Sequence, residues 1–298
     1  MGVFVEVVLP VLAVFLSGFV LQKSVRLDIK SVSTVGMYIM LPCLVFETFY
    51  TADLNQGYGM MLVFSLLLLI IILGINKVYA WWKNYESSTE SALILSTAFM
   101  NSGNYGSPII LFAFGEQGFI YAVSLMVMQS IIMNFFGVYY AAKGVAGLKI
   151  AVMSVLKMPP TYAVLFAFFM KFTNIPLGGN VLGIIELVAA ATVPTIMVVL
   201  GMQLAEIRMR SMEWMKISYA STVRLLVSPV IALCLVAVLP MSDLMASVLV
   251  IQAAMPSAAT TTIYAVQFDS RPELVSSITL VTTLLSVITV PLLLIMYI

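Results

Sequence analysis

Residues 99–111, FMNSGNYGSPIIL, place two asparagines, two glycines, two serines and a proline inside an otherwise apolar run. Asn101 stands about eleven residues into that run, roughly 16 Å at 1.5 Å per helical residue, half of a hydrocarbon core of about 30 Å. A helix broken there leaves unpaired N–H and C=O groups at its ends. Ser107 followed by Pro108 reads as an N-cap with proline at the first helical position, so a second half-helix is expected to restart at that point. A second patch has the same character: Pro256 and Ser257 end one run, Thr260, Thr261 and Thr262 offer hydroxyls near a restart, and Gln252 lies one turn before. Two helix N-termini meeting at one spot hold an anion without any buried cation. Asn101 and Asn104 add amide donors for a carboxylate, and Gly103 belongs to the same patch. The chemistry expected is recognition of a small organic acid.

Other polar residues within apolar runs leave alternatives open. Gln129 and Asn134 either line the same cavity or pack between helices. Arg224, about eleven residues into its run, either meets substrate or a gate or snorkels to a surface. Glu186 and Glu47, near the ends of their runs, are candidates to carry a coupling proton, with interfacial exposure as the other reading. Histidine is absent, and Cys43 and Cys234 form no metal motif and read as buried thiols. The 21 methionines are scattered and read as core filling rather than a copper path. No nucleophile–base pair or metal cluster is visible, so an enzyme is disfavoured, and no cofactor is expected. A net charge of +1 gives no basis for nucleic-acid binding.

The elements that must position these residues follow from composition. The 298 residues are 62% hydrophobic and 9% charged, with a mean hydropathy of +1.11, which points to a polytopic, all-α membrane protein. Ten spans are expected, at 3–21, 31–50, 59–80, 91–114, 118–140, 150–170, 181–204, 214–239, 244–268 and 273–297. The first reads as a retained span, not a signal peptide, because its basic residues Lys23, Arg26 and Lys30 follow the apolar run. Apart from Lys171 and Arg224, all 14 basic residues fall on odd-numbered connections or their flanks, Lys143, Lys149, Arg208 and Arg210 among them. Basic residues collect on the cytoplasmic side, so both termini are expected outside. Trp81, Trp82, Tyr139, Tyr140 and Trp214 read as interfacial aromatics at inner ends.

The chain also repeats. A shift of about 154 residues lays residues 96–114 on 250–268, and one of about 152 lays Pro42 on Pro194. Two halves are expected, 1–149 and 150–298, each of five spans and therefore inverted relative to one another. Inverted repeats with paired broken helices point to a secondary transporter.

At these residues the chain resembles the auxin efflux carrier family, which includes bacterial malate and malonate permeases and plant carriers. The resemblance lies in Asn101-x-Gly103-x-x-Gly106-x-Pro108, AAMPSAATTTIYAVQF of 253–268, RLLVSPVIAL of 224–233 and TVPTIMVVLGMQL of 192–204, and it runs over essentially the whole chain. It implies a fold like that of sodium/proton antiporters and bile-acid transporters, with broken helices four and nine crossing. It further implies a scaffold of spans one, two, six and seven that forms a homodimer, a moving unit of spans three to five and eight to ten, and elevator-type alternating access. The implied cargo is an organic anion, a dicarboxylate such as malate or malonate or an auxin-like carboxylate, carried across the plasma membrane (a bacterial inner membrane). A passive anion channel is the alternative, ahead of an intramembrane enzyme. Bile-acid-type relatives use acidic residues for sodium near the crossing and this chain has none there, so the coupling ion, H+ or Na+, stays open.

Overall fold

The computed structural model describes residues 4–51, 57–142, 153, 156–173, 176–206 and 212–297. Lys143, Lys149, Arg208, Arg210, the start of the expected sixth span and the boundary between the expected repeats lie outside the described residues. A π-helical turn, Phe4–Val8, leads into α1 (Leu9–Val25). α2 (Ile29–Val35), a π turn at Gly36–Met40 and α3 (Leu41–Thr51) follow in one run. Next come α4 (Gly57–Trp82), α5 (Ser87–Ala98), a π turn at Ser102–Gly106, α6 (Ser107–Ile132), a π turn at Met133–Gly137 and α7 (Val138–Ala142). α8 (Pro159–Thr173) and α9 (Gly179–Glu206) precede α10 (Trp214–Thr222), which passes through Val223–Val227 into α11 (Ser228–Val238). α12 (Asp243–Ala253), α13 (Thr260–Gln267) and α14 (Pro272–Leu294) complete the order. Among the described residues, seven helical runs are long and apolar enough to cross a membrane.

Four of the five described π turns end two residues before a proline: Pro10, Pro42, Pro108 and Pro229. Proline has no N–H to give and its ring crowds the carbonyl four residues back. Widening the preceding turn to i→i+5 bonds, as in Ser107 N–H to Ser102 O, moves that carbonyl aside without ending the helix. The run from Ser102 to Ala142 breaks direction at Gly115, φ 65° and ψ −165°, a conformation that glycine reaches without strain. The division expected between 114 and 118 falls there.

α1 lies along α9, and α3 packs on both α8 and α9. The α1–α9 crossing is backbone on backbone. A Cβ on Gly18 would stand 2.2 Å from the Val198 carbonyl oxygen, and one on Gly201 would stand 2.0 Å from that of Phe15. Without water to expel, membrane helices gain from such close van der Waals approach. α4, α5, α6 and α10 to α14 pack mostly among themselves; the Tyr79 and Tyr219 rings stack at 3.6 Å where α4 meets α10. Outward faces are oily, with Leu16, Ile70 and Leu187 exposed.

Two expectations need correction. Cys234 is exposed and Cys43 half-buried: a lipid-facing surface is itself apolar, so a thiol need not turn inward. Tyr140 is buried, with Lys77 over its ring at 5.6 Å, whereas Trp81, Trp82, Tyr139 and Trp214 are exposed. Outside the runs, Asp28 caps α2 through the N–H groups of Lys30 and Ser31. The Ser31 hydroxyl, donating to the same carboxylate, holds it below its ordinary range.

Candidate functional site at the crossing of two broken helices

The two polar patches meet. α5 stops at Ala98 and continues extended at Phe99, while α12 stops at Ala253 and turns through Ala254 and Met255, so that the two segments pass each other. Met100 and Ser257 form an antiparallel bridge, with Asn101 N–H donating to Pro256 O at 2.8 Å and Ala258 N–H to Phe99 O at 3.0 Å. Each break therefore pairs some of the backbone groups freed by the other, which is how irregular backbone survives inside protein at membrane depth. Asn101, Ser102, Ser107, Pro108, Pro256, Ser257 and Thr261 are buried; Gly103, Asn104 and Thr260 are half-buried.

The first restart corrects the expected N-cap. Ser107 is already helical (φ −59°, ψ −44°), and its hydroxyl donates back to Ser102 O at 2.9 Å. The turn begins at Asn101, whose carbonyl accepts Gly106 N–H at 2.9 Å. The wide turn accommodates Pro108, which has no N–H of its own to give and whose ring crowds the carbonyl four residues back. Asn101 occupies the cap position but makes no side-chain cap bond, and its Nδ2 is buried without a partner among the described residues. An orphaned buried donor costs about 1–3 kcal/mol and calls for an explanation.

Gln252, in the last turn of α12, donates Nε2 to Ser102 O at 3.3 Å while its Oε1 is buried and unpartnered. Gly106 makes room for it: a Cβ there would lie 2.1 Å from that oxygen. A Cβ on Gly103 would come 3.0 Å from Met126 Sδ.

At the second restart Ser257 and Thr261 already have partners. Ser257 N–H donates to the Thr282 hydroxyl at 3.2 Å, Thr279 Oγ1 reaches Ser257 Oγ at 3.4 Å, and Thr261 Oγ1 donates to Ala258 O at 2.7 Å. Thr279, Thr282, Thr283 and Ser286 form a buried stripe on α14, and Ser286 donates to the Tyr105 hydroxyl at 2.9 Å. The site residues named from the sequence omitted this stripe. Its signal was legible, four hydroxyls at i, i+3, i+4 and i+7 in an apolar helix. Asn76 was also missed: buried on α4, it donates to Thr97 Oγ1 at 2.8 Å.

Arg224 corrects the expectation of a site free of buried cations, and it does not snorkel. It is fully buried on the π turn between α10 and α11. Nη1 donates to Thr97 O at 2.7 Å, and Nη2 to Ala253 O and Ser228 Oγ, both at 2.5 Å. One guanidinium thus holds the C-terminal ends of both α5 and α12.

The remaining named residues divide. Asn134 donates to Ser130 O and accepts from the Tyr264 hydroxyl at 2.8 Å, tying the π turn after α6 to α13. Gln129 is buried. Glu186 is exposed on α9 and Glu47 half-buried on α3. Among the described residues no three acidic or cysteine side chains gather in a group fit for a metal.

Over residues 3–150 and again over 144–294 the chain matches the family described as membrane transport protein. It is 30% identical over 295 residues to an uncharacterized transporter of Methanothermobacter thermautotrophicus, covering 96% of each chain. It is 27% identical over 277 residues to another uncharacterized transporter, from Methanocaldococcus jannaschii, covering 88% of each. With paired helix breaks at the residues that carried the resemblance, and with matches along nearly its whole length, the chain belongs to this membrane transport protein family, that of the auxin efflux carriers.

Proposed function

We propose that this transporter carries small organic anions, dicarboxylates such as malate or malonate or auxin-like carboxylates, as a secondary active carrier. The observation that carries the reading is Asn101 Nδ2, a buried donor with no partner among the described residues, at the crossing of the two broken helices. The N-terminal ends of α6 and α13 add partial positive charge there. Asn104, half-buried, supplies a second amide, and Gln129 lines the approach. Asn134, bound to Tyr264, acts in packing.

Ten crossings in two inverted halves, joined between 149 and 150, accommodate this arrangement, with both termini outside and the protein in the plasma membrane. Support for a scaffold of α1, α2, α3, α8 and α9 comes from their packing on one another, and for a moving unit from the packing of the rest around the crossing. Elevator-type movement of that unit would carry the crossing between the two sides. The apolar outward face of α1, with Leu16 and Val20 exposed, is the surface for a homodimer.

Proteoliposome counterflow with labelled malate, malonate and indole acetate tests the reading. Saturable uptake of at least one, stimulated by the same acid inside, is the expected result. Flux that neither saturates nor shows trans-stimulation would identify a channel, and no flux with any carboxylate would reject the cargo class.

A further inference from the structure

Crossed broken helices offer two poles, and only one of them is free in this protein. The N-terminal ends of α6 and α13 attract anions. The C-terminal ends of α5 and α12 present carbonyl oxygens that attract cations, about half a negative charge at each end. Together those two ends amount to about one negative charge, which the single guanidinium of Arg224 matches. We propose that Arg224 is a tethered cation occupying a cation-binding pole built from Thr97 O, Ala253 O and Ser228 Oγ, so that the carrier needs no dissolved cation to hold its crossing together. The inference rests on the reading of the crossing as the cargo site and assigns the half of it that cargo does not use.

Three observations support this. Arg224 is 0% exposed; Nη1 and Nη2 donate to neutral oxygens from two different helix ends and the next turn, while Nε is buried without a partner among the described residues. Among the described residues its charge meets no carboxylate, in contrast to Arg271, which pairs with Glu213. A lone buried charge is costly, and two converging helix C-termini are the compensation present. Finally, Ser228 Oγ also donates to Ala253 O at 2.9 Å, so a hydroxyl remains at that carbonyl when the guanidinium is removed. Arg224→Ala leaves two carbonyls and a hydroxyl facing a vacated space, the oxygen ligands that small hard cations take.

Thermal unfolding of the purified wild type, Arg224→Ala and Arg224→Gln in lithium, sodium, potassium and choline chlorides tests the proposal. The wild type should melt alike in all four. Arg224→Ala should melt lower in choline and regain about 2–4 °C or more in at least one small-cation salt. Arg224→Gln, which still offers amide hydrogens to the carbonyls, serves in its place where the alanine variant does not fold. Variants equally unstable in every salt, or as stable as the wild type in choline, overturn the proposal. Wild-type carboxylate uptake should run at the same initial rate in sodium and in choline, and a sodium requirement overturns it too. Absence of uptake in any salt rejects the cargo reading instead and leaves the melting result to decide on Arg224.

Discussion

The break between α5 and α6 and the break between α12 and α13 pair with each other, yet their polar groups are used differently. At the second, Ser257, Thr261 and the facing Thr279 and Thr282 bond one another or nearby backbone. At the first, Asn101 keeps an unpaired Nδ2 in a buried position. Hydroxyls on short stems reach the local backbone readily. The amide of Asn101, standing at a cap whose turn is closed by backbone bonds, is left over. One break is tied down by α14 and the other presents a donor. Two similar-looking patches of small polar residues therefore differ: one spends its hydroxyls on anchoring, and the other keeps a buried amide donor unpaired among the described residues.

The largest difference should appear on substitution at these two positions. Asn101→Ala should cut carboxylate affinity about 10- to 150-fold, the effect of losing a hydrogen bond to a charged group of about 1.5–3 kcal/mol. It should also raise the melting temperature slightly, because an orphaned buried donor disappears. Ser257→Ala, losing a 3.4 Å contact, should leave affinity within about twofold. Equal losses in a binding assay would erase the distinction.

Gly106→Val should destabilise by about 3 kcal/mol or more, since even its Cβ must displace the buried Gln252 amide. Adding Gln252→Ala should restore part of that, read as a positive coupling in a double-mutant cycle of melting temperatures. Simple additivity would mean that the two side chains do not share the space. Thr282→Val should then cost about 1–3 kcal/mol by leaving Ser257 N–H unpaired in a buried site, with uptake falling less than in Asn101→Ala.

The smallest effect lies away from both breaks. The lowered pKa of Asp28 means its cap on α2 is fully present above the ordinary carboxylate pKa and is lost as pH falls through the lower, folded value. Asp28→Ala should fray residues 29–35, seen as faster amide exchange there, with unchanged uptake.

Both breaks were legible in the sequence because proline and clustered small polar residues contradict a 3.6-residue apolar pattern. Their pairing was not, because a bridge between Met100 and Ser257, far apart in the chain, leaves no periodic trace. Ser107 looked like a cap by residue type. The π turn before Pro108 moved the restart to Asn101; similar wide turns precede Pro42 and Pro229, but Pro194 and Pro291 sit inside regular helix, so proline alone does not mark the position. Arg224 was conspicuous as a charge in an apolar run, but its two carbonyl partners belong to α5 and α12. No local spacing links position 224 to positions 97 and 253.

Equilibrium binding of labelled malate, malonate and indole acetate to the purified wild type and to Asn101→Ala tests the central claim most directly. The account predicts saturable binding of at least one acid by the wild type and at least tenfold weaker binding by a variant that melts no lower. Equal affinity in the two proteins, or no binding of any carboxylate by the wild type, would contradict it.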